Sequence, residues 1–295
     1  MLENKDNWIK AGRITAEALN YGRTLAKPDA KILDVAEKIE AKIKELGGHP
    51  AFPVNISFNS TAAHDTPDIN DDRIFGENLV KIDVGAHVEG CIGDSAVSID
   101  FTNQNKDLLK ASENALKAAL KLAIPGTKLR EIGEAINSEI TSLGYNPVVN
   151  LSGHSLSEYN LHAGLSIPNY DNGSDDELEE DMTIAIEPFA TAGSGRVIDG
   201  SNTKIFSLNL IKPARSDSAR MFMKQAEMYE GLPFAKRWIK MPALKINIAL
   251  KELDSLGVLY SFPPLVEKDR GMVSQAEHSV IVKDKPIVFT KIDSD

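Results

Sequence analysis

Apolar residues recur along this chain with two periods. From Lys27, KPDAKILDVAEKIEAKIKELGG sets Ile32, Val35, Ile39, Ile43 and Leu46 at helical spacing, with Pro28 before them and Gly47 after. From Ile124, IPGTKLREIGEAINSEITSLGY repeats the pattern. Aligned without gaps, the two share Pro28/Pro125, Lys31/Lys128, Glu37/Glu134, Ile39/Ile136, Ile43/Ile140, Leu46/Leu143 and Gly47/Gly144. Each copy predicts an amphipathic helix with one face on a core.

The likeness continues past the helices. PAFPVNIS follows the first copy and PVVNLS the second. Each then has a histidine in a polar loop, His64 in TAAHDTP and His162 in YNLHAGLSIP. Each ends in a strand with one carboxylate, Asp83 in ENLVKIDVG and Glu187 in EDMTIAIEP. The shared order predicts a duplicated α+β chain, its halves meeting about a pseudo-twofold axis.

Alternation of period two appears in LVKIDVGAHV and CIGDSAVSI, which predict a β-hairpin turning at Gly90. If Glu89 and Gly90 form a two-residue loop, Val88 pairs with Cys91 and Asp94 lies opposite Gly85. Asp83 and Asp94 then share a face as diagonal neighbours. A three-residue loop would break that register, and one aspartate would be free to face solvent. Two like charges on a half-buried face need a shared proton, a basic partner or a metal. Beyond Lys81 and His87 the hairpin has no basic residue, which favours a divalent ion. His154 and His162 in NLSGHSLSEYNLHAG, Glu187 before Pro188, and Glu277 in the final strand of SQAEHSVIV extend the candidate set. Carboxylates and an imidazole at strand ends and glycine turns suit a two-metal site.

Composition narrows the reading. The chain has 295 residues, net charge -10 and no dense basic run, which argues against a nucleic-acid or anionic-membrane surface. No apolar run approaches the length of a membrane span, and the N-terminus lacks an apolar leader core. Cys91 is the single cysteine, expected as a small buried hydrophobe with no disulfide. A soluble cytoplasmic protein is the expectation.

In order, KIDVG, GDSAV, SGHSL, LHAG, AIEPF and QAEHSVIV resemble the pita-bread metallopeptidases, in particular the type 2 methionine aminopeptidases. The resemblance runs from about Lys10 to the final strand. It implies a curved antiparallel sheet between duplicated halves, with residues 1–204 and 267–295 forming the catalytic domain. Residues 205–266 correspond to the family's helical insert, in which RMFMKQAEM reads as core packing. The chain begins at the first helix, as in the archaeal form of the family. The resemblance implies five metal ligands: Asp83 on one ion, Asp94 and Glu277 bridging, His154 on the other ion, and Glu187 as ligand and proton relay. The cofactors would be two divalent ions (Co, Mn, Fe or Zn) that activate a water for attack on the carbonyl of an N-terminal methionine. His162 would stabilise the oxyanion, and His64 would contact the scissile amide or the departing chain. Phe52, Pro53 and Leu161 would line the methionine pocket, with His64 and His162 beside it. The implied partners are nascent polypeptides and, as an open question, the ribosome, with no nucleic acid or membrane and a monomeric state. Two alternatives remain. One is a proline-specific peptidase of the same fold, whose relatives carry a large N-terminal domain. The other is a metal-free binding protein on this scaffold, akin to proliferation-associated homologues, which have lost ligands.

Overall fold

A computed structural model describes residues 2–291; the outermost residues of the expected catalytic domain, 1 and 292–295, lie outside the described residues. Helix α1 (Lys5–Leu25) lies on the hairpin formed by strands Leu79–Val88 and Cys91–Asp100, and α2 (Ile32–Glu45) packs beside it against α1 and the flanking strand Asn55–Phe58. Alternation along the first strand sends Val80, Ile82, Val84 and Ala86 into a core with Ile14, Leu19, Ile39 and Ile43. Asp83 and Gly85 take the opposite face. Helix α1 sits close because Gly93 faces Gly12: a Cβ on Gly93 would come within 2.7 Å of the Gly12 Cα. The Thr15 hydroxyl fills the remaining gap, donating to the Gly93 carbonyl and accepting from the Ala86 amide.

The second half repeats this plan. Helices α3 (Lys106–Lys121) and α4 (Leu129–Ser142) cover strands Thr183–Ile186 and His278–Ile281 with Leu116, Ile132, Ile136 and Ile140 against Ile184, Ile186 and Val280. Where the first half has one unbroken hairpin, the second has two strand pairs: Thr183–Ile186 with His278–Ile281, then Phe189–Thr191 with Val273–Gln275. The break falls at Glu187–Pro188 on one side and Ala276–Glu277 on the other. Glu277 therefore sits between two strands, not within one as expected, and Pro188, with no N–H to give a ladder, marks the interruption.

Strand registers define the mates under the pseudo-twofold. Gly85 pairs with Asp94, and Phe189 with Gln275; Ile82 pairs with Val97, and Ile186 with His278. Asp83 is thus the mate of Glu187, Asp94 of Gln275, Ala96 of Glu277 and Ser98 of Ser279. Asn55–Phe58 and Ser152–Leu156 flank the two central strands equivalently, which makes Ser57 the mate of His154. The halves join along a seam stitched by mated serines. Ser98 Oγ donates to the Gln275 carbonyl and accepts from its amide, both at 2.8 Å. Ser279 Oγ does the same for Asp94, both at 2.9 Å.

Residues 205–266 are not helical throughout. Helices α5 (Asp217–Ala226) and α6 (Ala243–Ser255) pack on a sheet of Phe234–Ala235, Ile205–Leu208 and Leu259–Phe262 around Phe206, Phe222, Phe234, Ile246 and Leu253. Of the RMFMKQAEM stripe, Phe222 is core, while Met221 and Met228 are exposed. Residues 265 and 266 belong to a separate sheet with Val197–Asp199 and Thr61–Ala63. The unit is held to α2 by a buried ion pair between Arg237 and Glu40, reinforced by Trp238 Nε1 donating to Glu40 at 2.9 Å. Among the described residues no helix is long and apolar enough to cross a membrane.

Candidate metal centre

The hairpin turns at Glu89 and Gly90, both with positive φ, as a two-residue loop. Val88 pairs with Cys91 and Gly85 with Asp94, so Asp83 and Asp94 share the face turned from the helices. Glu187 and Glu277 arrive at the same place from the break in the second half. His154, in Ser152–Leu156, turns its Nε2 toward them, 3.7 Å from Asp94 Oδ2 and 3.6 Å from Glu187 Oε1. One cavity is lined by all five of these residues, by His64 and His162, and by Phe52 and Leu161. Every candidate except Pro53 meets there. Pro53 is buried, its carbonyl accepting from Asn55 Nδ2 at 2.8 Å.

Burial dominates the electrostatics. It pushes the Asp83 carboxyl up to about 7. Asp94, Glu187 and Glu277 are raised well above the carboxylate range, first by burial and then by one another and Asp83. No Lys or Arg ion pair reaches the four among the described residues. The histidines shift the other way. His154 falls to about 3 and His64 to about 4, each through burial and then the nearby His162. His162 is exposed at the cavity, and the part of its ring withdrawn from water shifts it down in the same direction. All three imidazoles are therefore neutral near pH 7. Their rings adjoin: His154 and His162 have centroids 4.5 Å apart, and His64 meets Phe262 edge-on at 5.6 Å. His64 holds a left-handed backbone, φ 62, just after strand Thr61–Ala63.

A model of metallopeptidase family M24 matches residues 6–213. A methionine aminopeptidase of Archaeoglobus fulgidus is 46% identical to this chain over 290 residues, covering 98% of each. The chain belongs to metallopeptidase family M24. Solved structures agree at the level of fold. A thermophilic Arx1 superposes with a TM-score of 0.85 at 16% identity, covering 96% of this chain and 90% of that one. A methionine aminopeptidase from Thermotoga maritima gives 0.72 at 22% identity, covering 99% of both. The fold is the pita-bread fold of the M24 enzymes.

The donors of this M24 site suit a divalent cation. Ligand atoms of Asp94, His154 and Glu277 lie within 4.8 Å of one another, all buried. Asp83 Oδ1, Asp94 Oδ1 and His154 Nδ1 are buried without a hydrogen-bond partner. Uncompensated carboxylates at such spacing are stable only with protons or cations among them.

Reading the sequence missed several lining residues. Ile205, Pro233 and Phe262 close the cavity from the 205–266 unit, with Ile205 and Phe262 directly paired across its sheet. Asn55 lines it too. Gly85 also matters: a Cβ there would lie 2.1 Å from the Phe52 ring, so only glycine seats that ring against the Asp83 strand. Gln275, in QAEHSVIV, also belongs to the centre, but an amide carries no charge signature in the sequence.

Proposed function

We propose that this chain is a methionyl aminopeptidase, hydrolysing the first peptide bond of polypeptides that begin with methionine. The observation that carries this reading is the convergence of five carboxylate and imidazole donors with two further histidines on one cavity, in a chain 46% identical to a methionine aminopeptidase. Asp83, Asp94, His154, Glu187 and Glu277 would hold two divalent ions. When bound, such ions supply Lewis acidity and lower the pKa of water toward neutrality.

The remaining steps fall to side chains. Phe52 and Leu161 offer an apolar wall for the methionine side chain. The substrate's free α-amine would bind beside the cation site, which restricts cleavage to the chain end. His162, neutral and at the mouth, donates an N–H to the scissile carbonyl as its oxygen gains charge. Glu187, its carboxyl raised by burial and by Asp83, takes the proton of the attacking water and returns it to the leaving amine. His64 contacts the scissile nitrogen or the departing chain. Ile205 and Phe262 bound the cavity on the far side. New polypeptides leaving the ribosome are the substrates this chemistry fits.

The test is release of methionine from Met-Ala-Ser by metal-stripped protein with Co, Mn, Fe or Zn restored. Wild type is expected to turn over only with metal. Asp94→Asn is expected to lose activity, and His162→Ala to fall by about 10²- to 10³-fold in kcat. A folded wild-type protein that is inactive with every metal overturns the reading.

A further inference from the structure

The pseudo-twofold axis pairs every acid of the centre with a mate, and not every mate is an acid. Asp83 answers to Glu187, but Asp94 answers to Gln275. Gln275 is 1% exposed, and its Nε2 lies 3.4 Å from Asp83 Oδ2, 3.4 Å from Glu187 Oε2 and 3.3 Å from Glu277 Oε2. These are long hydrogen bonds, and two N–H bonds are shared among three acceptors. The three carboxylates come from both halves of the chain.

The pattern of oxygens is informative. Gln275 approaches one oxygen of each carboxylate and leaves the other. The oxygen left on Asp83 is Oδ1, buried without a partner; that left on Glu187 is Oε1, which faces His154 Nε2 at 3.6 Å. An acid at this position would add charge to a cluster that has no basic partner. A lysine or arginine would neutralise it and compete with a cation. An amide donates without charge.

We propose that Gln275 is a positioning residue of the metal centre. It fixes the rotation of Asp83, Glu187 and Glu277 by one oxygen each, so that their other oxygens converge on the cations. This rests on the metallopeptidase reading of the same cavity. Partners that orient ligands in this way typically change metal affinity by about 10- to 100-fold when removed.

The experiment is Co²⁺ titration of metal-stripped protein by calorimetry, with the Co²⁺ d–d absorption spectrum recorded at saturation. Gln275→Met keeps the length and removes the donor; Gln275→Asn keeps the amide and withdraws it from reach. Far-UV circular dichroism selects the folded variants. The expected result is a Kd for Co²⁺ raised about 10- to 100-fold in either variant, with an altered d–d spectrum. Wild-type affinity and spectrum in a folded variant overturn the assignment and leave the functional reading standing. Absence of Co²⁺ uptake by the wild-type chain overturns both.

Discussion

A carboxyl group removed from water resists ionising, and four of them crowd one cavity here. With Asp83 pushed up to about 7 and Asp94, Glu187 and Glu277 also raised well above the carboxylate range, the folded metal-free chain binds protons that the unfolded chain has already lost. The sign follows from linkage. A raised folded pKa gives stability that is full below the unfolded value, near pH 4, and is lost as pH rises through the folded value. Metal-stripped protein is therefore expected to lose up to about 1.4 kcal/mol per pH unit through Asp83 between pH 5 and 7, with the other three carboxyls acting in the same direction. Saturating metal is expected to flatten the slope and add about 2.7 kcal/mol at a hundredfold excess over Kd. Urea unfolding at pH 5, 6, 7 and 8, with and without metal, measures both. A metal-free stability that rises across this range contradicts the raised carboxyls.

At the scale of elements, what could be read in advance depended on distance along the chain. The hairpin register was legible because a two-residue turn ties Asp83 to Asp94 locally, and the helices because their period and bounding Pro and Gly are local too. The break at Glu187–Pro188 was half legible: the proline announced it, but the matching break at Ala276–Glu277 depends on pairing with a strand some ninety residues earlier. The sheet within residues 205–266 was hidden, because Ile205 and Phe262 are brought together only by the folded unit between them. Its attachment was hidden for the same reason, since nothing near Glu40 in sequence points to Arg237. That ion pair is almost wholly buried, with side chains 8% and 4% exposed. Breaking such a pair from one side strands a charge, so Arg237→Ala is expected to cost about 3 to 5 kcal/mol. Replacing both partners with apolar residues of similar volume is expected to recover most of that loss. Equilibrium urea denaturation of the two single variants and the double variant gives the comparison, and a mild effect from Arg237→Ala contradicts it.

Across the whole molecule, the seam decides whether a site exists at all. Two acids come from one half and two from the other, and Ser98 and Ser279 are among the residues that hydrogen-bond the halves together beside them. Each hydroxyl satisfies both the amide and the carbonyl of a buried partner residue. Ser98→Ala and Ser279→Ala each leave those groups unpaired, at an expected cost of about 1 to 3 kcal/mol. Because the two positions are mates, similar losses are expected. Thermal unfolding of the metal-free variants tests this, and a large loss from one with none from the other contradicts the matched roles.

An axis between two identical chains repeats every side chain, so whatever forms on it must look the same from both ends. A single chain with two unequal halves escapes that constraint. Ser57 faces His154 across the axis, Asp94 faces Gln275, and Ala96 faces Glu277. These three inequalities give the centre a front and a back. A polypeptide also has a front and a back, and under the proposed function those substitutions supply the asymmetry needed to tell its amino end from its carboxyl end.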